Sequence, residues 1–185
     1  MAIKLDILVM AAHPDDAELS CSGTILSYIA QGKKVGIVDF TRGEMGTRGT
    51  PEIRLHESNE ATKILGLHAR ENLGLADGFF QNDQASQLIL MEVIRRCRPE
   101  IVLANALSDR HPDHGRGGKL VAEACFLAGL RKIHTAHNGV AQEPHRPRLV
   151  LHYIQDFQLE PSVVFDVTPY LEQKLNCIKA YKTCK

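Results

Sequence analysis

No stretch of this 185-residue sequence approaches the roughly 20 consecutive apolar residues that would cross a bilayer, which argues against a membrane-spanning helix. Nor is there an excess of charge. The 22 lysines and arginines face 22 aspartates and glutamates, leaving no net field to draw the chain onto nucleic acid or an anionic membrane. The five cysteines, Cys21, Cys97, Cys125, Cys177 and Cys184, contain no C-x-x-C pair, and their odd number fits neither a secreted disulfide framework nor a thiolate zinc site. Most of them read as reduced core thiols. The N-terminal apolar stretch is broken by Asp6 and soon followed by Asp15 and Asp16, without a small-residue cleavage site. It reads as a first strand, and a cytoplasmic location is expected. That strand does not run into G-x-G-x-x-G, and two carboxylates at its turn would repel a pyrophosphate, which sets dinucleotide binding aside. Small-molecule chemistry remains.

The length suits one domain, 1–185, with a substantial core. Apolar runs at Leu5–Met10, Val35–Phe40 and Ile101–Ala104 predict buried strands, with further ones expected at Leu149–Tyr153 and Ser162–Asp166. Helical spacing fills the gaps. Leu19, Ile25, Leu26 and Ile29 suit a helix ending at Gly32; Leu55, Thr62 and Leu65 suit one ending at Gly66; Leu88, Met91, Val93, Ile94 and Cys97 suit one stopped by Pro99. Two more are expected, from about His114 to Leu130 and from Pro169 onward. Strands and helices alternating in this way indicate an α/β class with a parallel, doubly wound sheet. Thr41–Pro51, with Gly43, Gly46 and Gly49, and His134–Pro147 are loops long enough to carry function.

Two polar clusters follow predicted strands: Ala12-His13-Pro14-Asp15-Asp16 after the first, and Arg110-His111-Pro112-Asp113-His114 after Ile101–Ala104. Open α/β sheets put their chemistry beyond the carboxyl ends of the strands. Catalytic zinc takes three protein ligands and keeps a fourth position for water. His13, Asp16 and His114 would supply that set, with Asp15 left to act. A plainer reading exists for each cluster. Asp15 could cap a helix with Glu18 completing a capping box, and Asp113 could cap the next helix. Both clusters at strand ends of one α/β chain make that double coincidence hard to sustain. Cys21 lies near these carboxylates, which would raise its pKa and blunt it as a nucleophile. The remaining histidines read as surface or structural, with His134 and His137 as weak exceptions in their loop.

The stretches Ala12-His13-Pro14-Asp15-Asp16-Ala17-Glu18 with Gly23-Thr24, and His111-Pro112-Asp113-His114, resemble the two motifs of the LmbE/PIG-L family of zinc-dependent N-acetylglucosamine deacetylases. Thr41–Thr50, Arg54 and Arg70–Phe80 are similar to its bacillithiol-biosynthesis branch. The resemblance covers most of the chain. It implies a Rossmann-like three-layer fold with a mostly parallel sheet, one Zn2+ held by His13, Asp16 and His114, Asp15 as general base, and His111, oriented by Asp113, as a polarising group. N-acetylglucosaminyl malate is the implied substrate and Arg54 the residue that reaches it. Arg42, Arg48 and Arg110 are weaker substrate contacts, placed on suitable loops. A homo-oligomer, often a hexamer, is implied as well.

Each implied role has its own physical ground. Bound zinc lowers the pKa of its water toward roughly 7, and a carboxylate such as Asp15 can take that water's proton and hand it to the departing amine. A His111 protonated through pairing with Asp113 would stabilise a tetrahedral oxyanion. Arg54 could clasp a malyl carboxylate in a bidentate contact, or could be a solvated helix charge beside Glu57 or Ser58. Deacetylation of another N-acetylglucosamine conjugate, of chitooligosaccharide or inositol type, is the alternative reaction. A metal-binding protein without activity is the alternative class. Ferrous iron or another divalent ion could fill the same ligands. Relatives in this branch continue through several more strands and turns after the helix at Pro169, so a C-terminal segment beyond Lys185 is expected to be missing.

Overall fold

A computed structural model describes residues 3–183. Cys184 lies outside the described residues. In chain order the elements are β1 (Ile7–Ala11), α1 (Asp16–Ser20), α2 (Ser22–Ala30), β2 (Val35–Asp39), α3 (Pro51–Leu65), β3 (Ala69–Asn72), α4 (Gln84–Cys97), β4 (Ile101–Ala104), α5 (Pro112–Leu127), a small hairpin of β5 (Ala136–His137) and β6 (Val140–Ala141), β7 (Leu149–His152), and α6 (Leu171–Ala180) after a 3₁₀ turn at Thr168–Tyr170. Five parallel strands form one sheet in the order β3-β2-β1-β4-β7, with Ile7 in register with both Val35 and Ile101.

Every residue of β1 and β2 is buried, as expected for strands covered on both faces. Alternation along β1 divides the core. Leu8 and Met10 join Leu90, Ile94, Leu120 and Val121 under α4 and α5, whereas Ile7 and Val9 join Ile25, Leu26, Leu65 and Cys177 under α2, α3 and α6. Each such large side chain removed from water contributes about 1.5–3 kcal/mol. The chain winds outward from β1 to β3 and then returns to β4 on the other side of β1. The strand order therefore reverses between β1 and β4, which opens a crevice at their carboxyl ends.

Several expectations need correction. Ser162–Asp166 is not a strand: its backbone pairs with none, Val164 is 79% exposed, and β7 is the edge of the sheet. Ala69–Asn72 is a strand despite its polar sequence, because pairing with β2 satisfies its backbone and the Arg70 side chain finds buried carboxylates. The first helix is broken at Cys21 into α1 and α2, which leaves Leu19 half exposed. The long loop expected at His134–Pro147 contains the β5–β6 hairpin. Asp15 precedes α1 without a side-chain capping bond, and Glu18 is no capping-box partner. Glu18 instead turns into the interior toward Arg70 and the Tyr181 hydroxyl. Asp113 does not cap α5; His111 does, its Nδ1 accepting the Asp113 N–H at 3.2 Å.

Candidate active site

The turn after β1 and the turn before α5 meet at this crevice. Asp16 lies between two imidazoles, its Oδ1 3.0 Å from His114 Nε2 and its Oδ2 3.6 Å from His13 Nδ1. The two imidazoles thus approach different oxygens of one carboxylate. Asp16 is fixed by three further donors: the His13 N–H at 3.0 Å, Asn105 Nδ2 at 2.9 Å and Gln155 Nε2 at 3.1 Å. Burial alone would raise its pKa, yet bonds and charge from His114 and His13 hold it far below the usual carboxylate range.

The opposite edge of His13 faces two more carboxylates, with Nε2 3.1 Å from Asp77 and 3.3 Å from Asp113. Burial pulls this imidazole down, but hydrogen bonds to Asp113, Asp16 and Asp77 outweigh it and lift the pKa to about 12. So much negative charge around one ring is the surrounding a cation would find. With a neutral ring protonated at Nε2 toward Asp77 and Asp113, Nδ1 presents its lone pair to Asp16's side.

Ligand atoms of His13, His111 and His114 lie within 4.8 Å of one another, as do those of His13, Asp77 and Asp113. As a ligand His111 would be weaker than a carboxylate. Its Nδ1 accepts the Asp113 N–H, which in a neutral ring leaves Nε2 as a proton donor, and it brings no negative charge to offset a dication. The expectation that the Asp113 carboxylate pairs with His111 is corrected. That carboxylate accepts from Arg116 at 2.6 Å and Gly78 N–H at 2.8 Å and faces His13. Burial, with the nearby His13 and His114, lowers the His111 pKa, so this ring is set up as a neutral donor.

Above these groups is a cavity of about 550 Å³ whose wall includes Asp15, Arg54, Arg110, Met45 and Gln155. Asp15 adopts φ 124°, a strained conformation for a residue with a side chain, which costs about 1–3 kcal/mol. Arg54 Nη1 lies 3.7 Å from Asp15 Oδ2. Gly43 and Gly46 make room for this guanidinium, since a Cβ at Gly46 would lie 2.7 Å from its Nη2. Arg54 does not turn to Glu57, which accepts instead from Lys182 and Thr183, nor to Ser58, whose hydroxyl bonds Leu55 O. Arg110 pairs with Asp156 at 3.1 Å on the cavity rim. Arg42 lines a separate hollow of about 350 Å³ beside Arg70, and Arg48 sits on the exposed loop away from the cavity wall.

Reading the sequence alone misses Asp77, Asn105, Asp109, Gln155 and Arg116. Asn105 and Gln155 offer one signal, as polar residues following the apolar runs of β4 and β7. Asp77 lies within the Arg70–Phe80 stretch, but only the folded loop after β3 brings it to His13. Cys21 is buried; burial first, then the Glu18 carboxylate, pushes its thiol up. His137 bonds Glu92 at 2.7 Å, and His134 lines another hollow; neither is on the cavity wall.

Comparison with known proteins fits this geometry. The family profile of PIG-L, described as GlcNAc-PI de-N-acetylase, matches residues 8–125 and so includes both polar turns. Diacetylchitobiose deacetylase of Thermococcus kodakarensis is 28% identical over 96% of this chain and 69% of its own length. A probable N-acetyl-alpha-D-glucosaminyl L-malate deacetylase 2 of Bacillus anthracis is 27% identical, over 95% of this chain and 79% of its own. Among solved structures, a conserved protein of Thermus thermophilus superposes with a TM-score of 0.90 at 41% identity, covering 97% of this chain and 79% of that one. A profile match across more than half of the sequence establishes that the chain belongs to the PIG-L family of de-N-acetylases.

Proposed function

We propose that the protein is a zinc-dependent N-deacetylase that removes acetate from N-acetylglucosaminyl malate, acting as one catalytic domain, in the cytoplasm and as a homo-oligomer. The observation that carries this reading is the Asp16 carboxylate within reach of both His13 and His114, at the foot of a cavity whose wall holds Asp15, Arg54 and His111. His13, Asp16 and His114 would hold the ion; their mixed nitrogen and oxygen donors suit zinc. When bound, zinc lowers the pKa of water and polarises a carbonyl.

The chain's own residues supply the rest. Asp15 takes the proton of the attacking water and returns it to the nitrogen of the departing amine, as one general acid/base residue can in both half-steps. His111, its Nδ1 engaged by the Asp113 N–H, donates Nε2–H to the acetamide oxygen as that oxygen gains charge. This needs no protonated imidazole. Arg54, held by the glycine loop, and Arg110 on the rim are the groups that a carboxylate on the aglycone would meet. A cavity of about 550 Å³ is large enough for one amino sugar with a small acid attached.

The named relatives include both a chitobiose and a malate deacetylase at nearly equal identity, and the arginines at the cavity are what favours the malate conjugate in this reading. Acetate release would be measured from N-acetylglucosaminyl malate, diacetylchitobiose and an N-acetylglucosaminyl inositol, each with chelator and with zinc restored. The malate conjugate is expected to react fastest, with activity abolished by chelation. Preference for an uncharged conjugate would overturn the substrate, and chelator-resistant turnover would overturn the metal.

A further inference from the structure

We propose that Asp109 is the positioning residue that fixes the His114 ring so that Nε2, and not Nδ1, is the metal-binding nitrogen. The inference rests on the metal-dependent reading above. His114 Nδ1 is buried and has no hydrogen-bond partner, a rare state for an imidazole nitrogen. The group it faces is the Asp109 carboxylate, 3.6 Å away, whose side chain has no exposed surface. Asp109 is itself tied in place: one oxygen accepts the Asp156 N–H at 3.2 Å and the other the Arg110 N–H. The carboxylate is thus held by backbone donors on two loops, one leading into α5 and one following β7. The proposed arrangement has the ring turn to bring Nδ1 within hydrogen-bond range of this carboxylate.

A neutral imidazole carries one proton. With that proton on Nδ1 and donated to Asp109, Nε2 is left with a free lone pair on the side where Asp16 Oδ1 lies at 3.0 Å. Carboxylates behind metal-binding histidines act in this way, and their loss commonly weakens metal affinity about 10–100-fold. The competing reading is a second cation between Asp109, His114 and Asp156, whose ligand atoms lie within 4.8 Å of one another. Existing partners disfavour it, since Asp156 is paired with Arg110 and the Asp109 oxygen nearest His114 already accepts an N–H.

The test loads wild type, Asp109→Asn and Asp109→Glu with one equivalent of zinc, follows zinc loss to excess chelator, and reads the His114 tautomer from long-range proton–nitrogen spectra of histidine-labelled protein. Wild type is expected to show a proton on Nδ1. Asp109→Asn should lose zinc about 10–100-fold faster at a temperature well below the melting midpoint of either metal-free protein, and Asp109→Glu should restore much of the retention. Equal zinc loss from wild type and Asp109→Asn, or a wild-type proton on Nε2, would overturn the assignment. So would a separate titration with excess zinc in which wild type takes up a second equivalent and Asp109→Asn does not. A wild type that retains no zinc would overturn the metal reading itself, which separates the two failures. If Asp109→Asn does not fold, the wild-type tautomer alone decides.

Discussion

Replacing Arg70 with methionine tests what holds α1, and with it Asp16, against the sheet. The Arg70 guanidinium is almost wholly buried and makes a bidentate contact with Asp39, Nε to Oδ2 at 2.8 Å and Nη2 to Oδ1 at 3.0 Å, while its Nη1 donates to Glu18. Glu18 and Asp39 are buried as well, so the three groups carry a net charge of minus one away from water. Methionine matches the bulk of the stem but leaves two carboxylates without their cation. Breaking a buried pair in this way costs about 3–5 kcal/mol. In a chain of this size, 1 kcal/mol corresponds to about 2–4 °C, which puts the fall in melting midpoint at roughly 6–20 °C. The pH dependence has a definite sign. Burial already raises the Asp39 pKa, and Arg70 is the chief influence opposing it. Without Arg70 the folded state binds a proton more readily than the unfolded chain, so the variant recovers stability relative to wild type as pH falls and loses it as pH rises. Urea titrations of both proteins at pH 5 and pH 8 provide the measurement. A loss below about 1 kcal/mol, or a deficit that grows on acidification, would refute the reasoning.

Three further outcomes are expected. Asp15→Asn should retain zinc but lower turnover by about two to four orders of magnitude, as loss of a general base does, and near-normal acetate release would remove Asp15 from that role. Zinc binding to the metal-free protein at pH 7 should release about one to two protons, because a ligand imidazole must be neutral whereas His13 is held up to about 12 and His114 is raised despite burial, chiefly by its bond to Asp16. Calorimetry in buffers of different ionisation enthalpy measures this, and no release would contradict the crowded-carboxylate account. The same shift makes His13 stabilise the metal-free fold fully below its unfolded pKa near 6.5, with the contribution lost progressively as pH rises toward 12. Gly46→Ala should fold normally, since Gly46 is not a positive-φ position, but displace the Arg54 tip and lower kcat/KM for an anionic substrate by about tenfold, the loss of one charge-assisted bond. An unchanged value for the malate conjugate would show that Arg54 does not touch it.

How far the site could be read from the chain depends on how local its causes are. His13, Asp15 and Asp16 follow β1 within five residues, and His111 to His114 open α5, so apolar runs and helix signals suffice to place both turns. That they converge follows from topology alone, because β1 and β4 pair directly where the winding reverses. Direction within each turn is a different matter. Asp113 turns inward because Arg116, one helical turn on, and the Gly78 N–H, from a separate loop, both claim its carboxylate, which leaves His111 to cap the helix. Residue type and spacing do not carry that choice. The same distinction explains the strands. Ser162–Asp166 has the apolar, β-branched character of a strand and lacks a partner, whereas Ala69–Asn72 has little of that character and gains both a partner strand and a buried ion pair. Strand propensity describes a surface that could pack; a neighbouring strand decides whether it does. Asp77, Asn105 and Gln155 belong with these cases. Each acts on a group remote in sequence, Asp77 on His13 from the far side of β2 and β3, and the two amides on Asp16 across 89 and 139 residues. The two turns at the centre of the candidate site are therefore legible in the chain, and the groups that orient their side chains emerge only once the sheet has assembled.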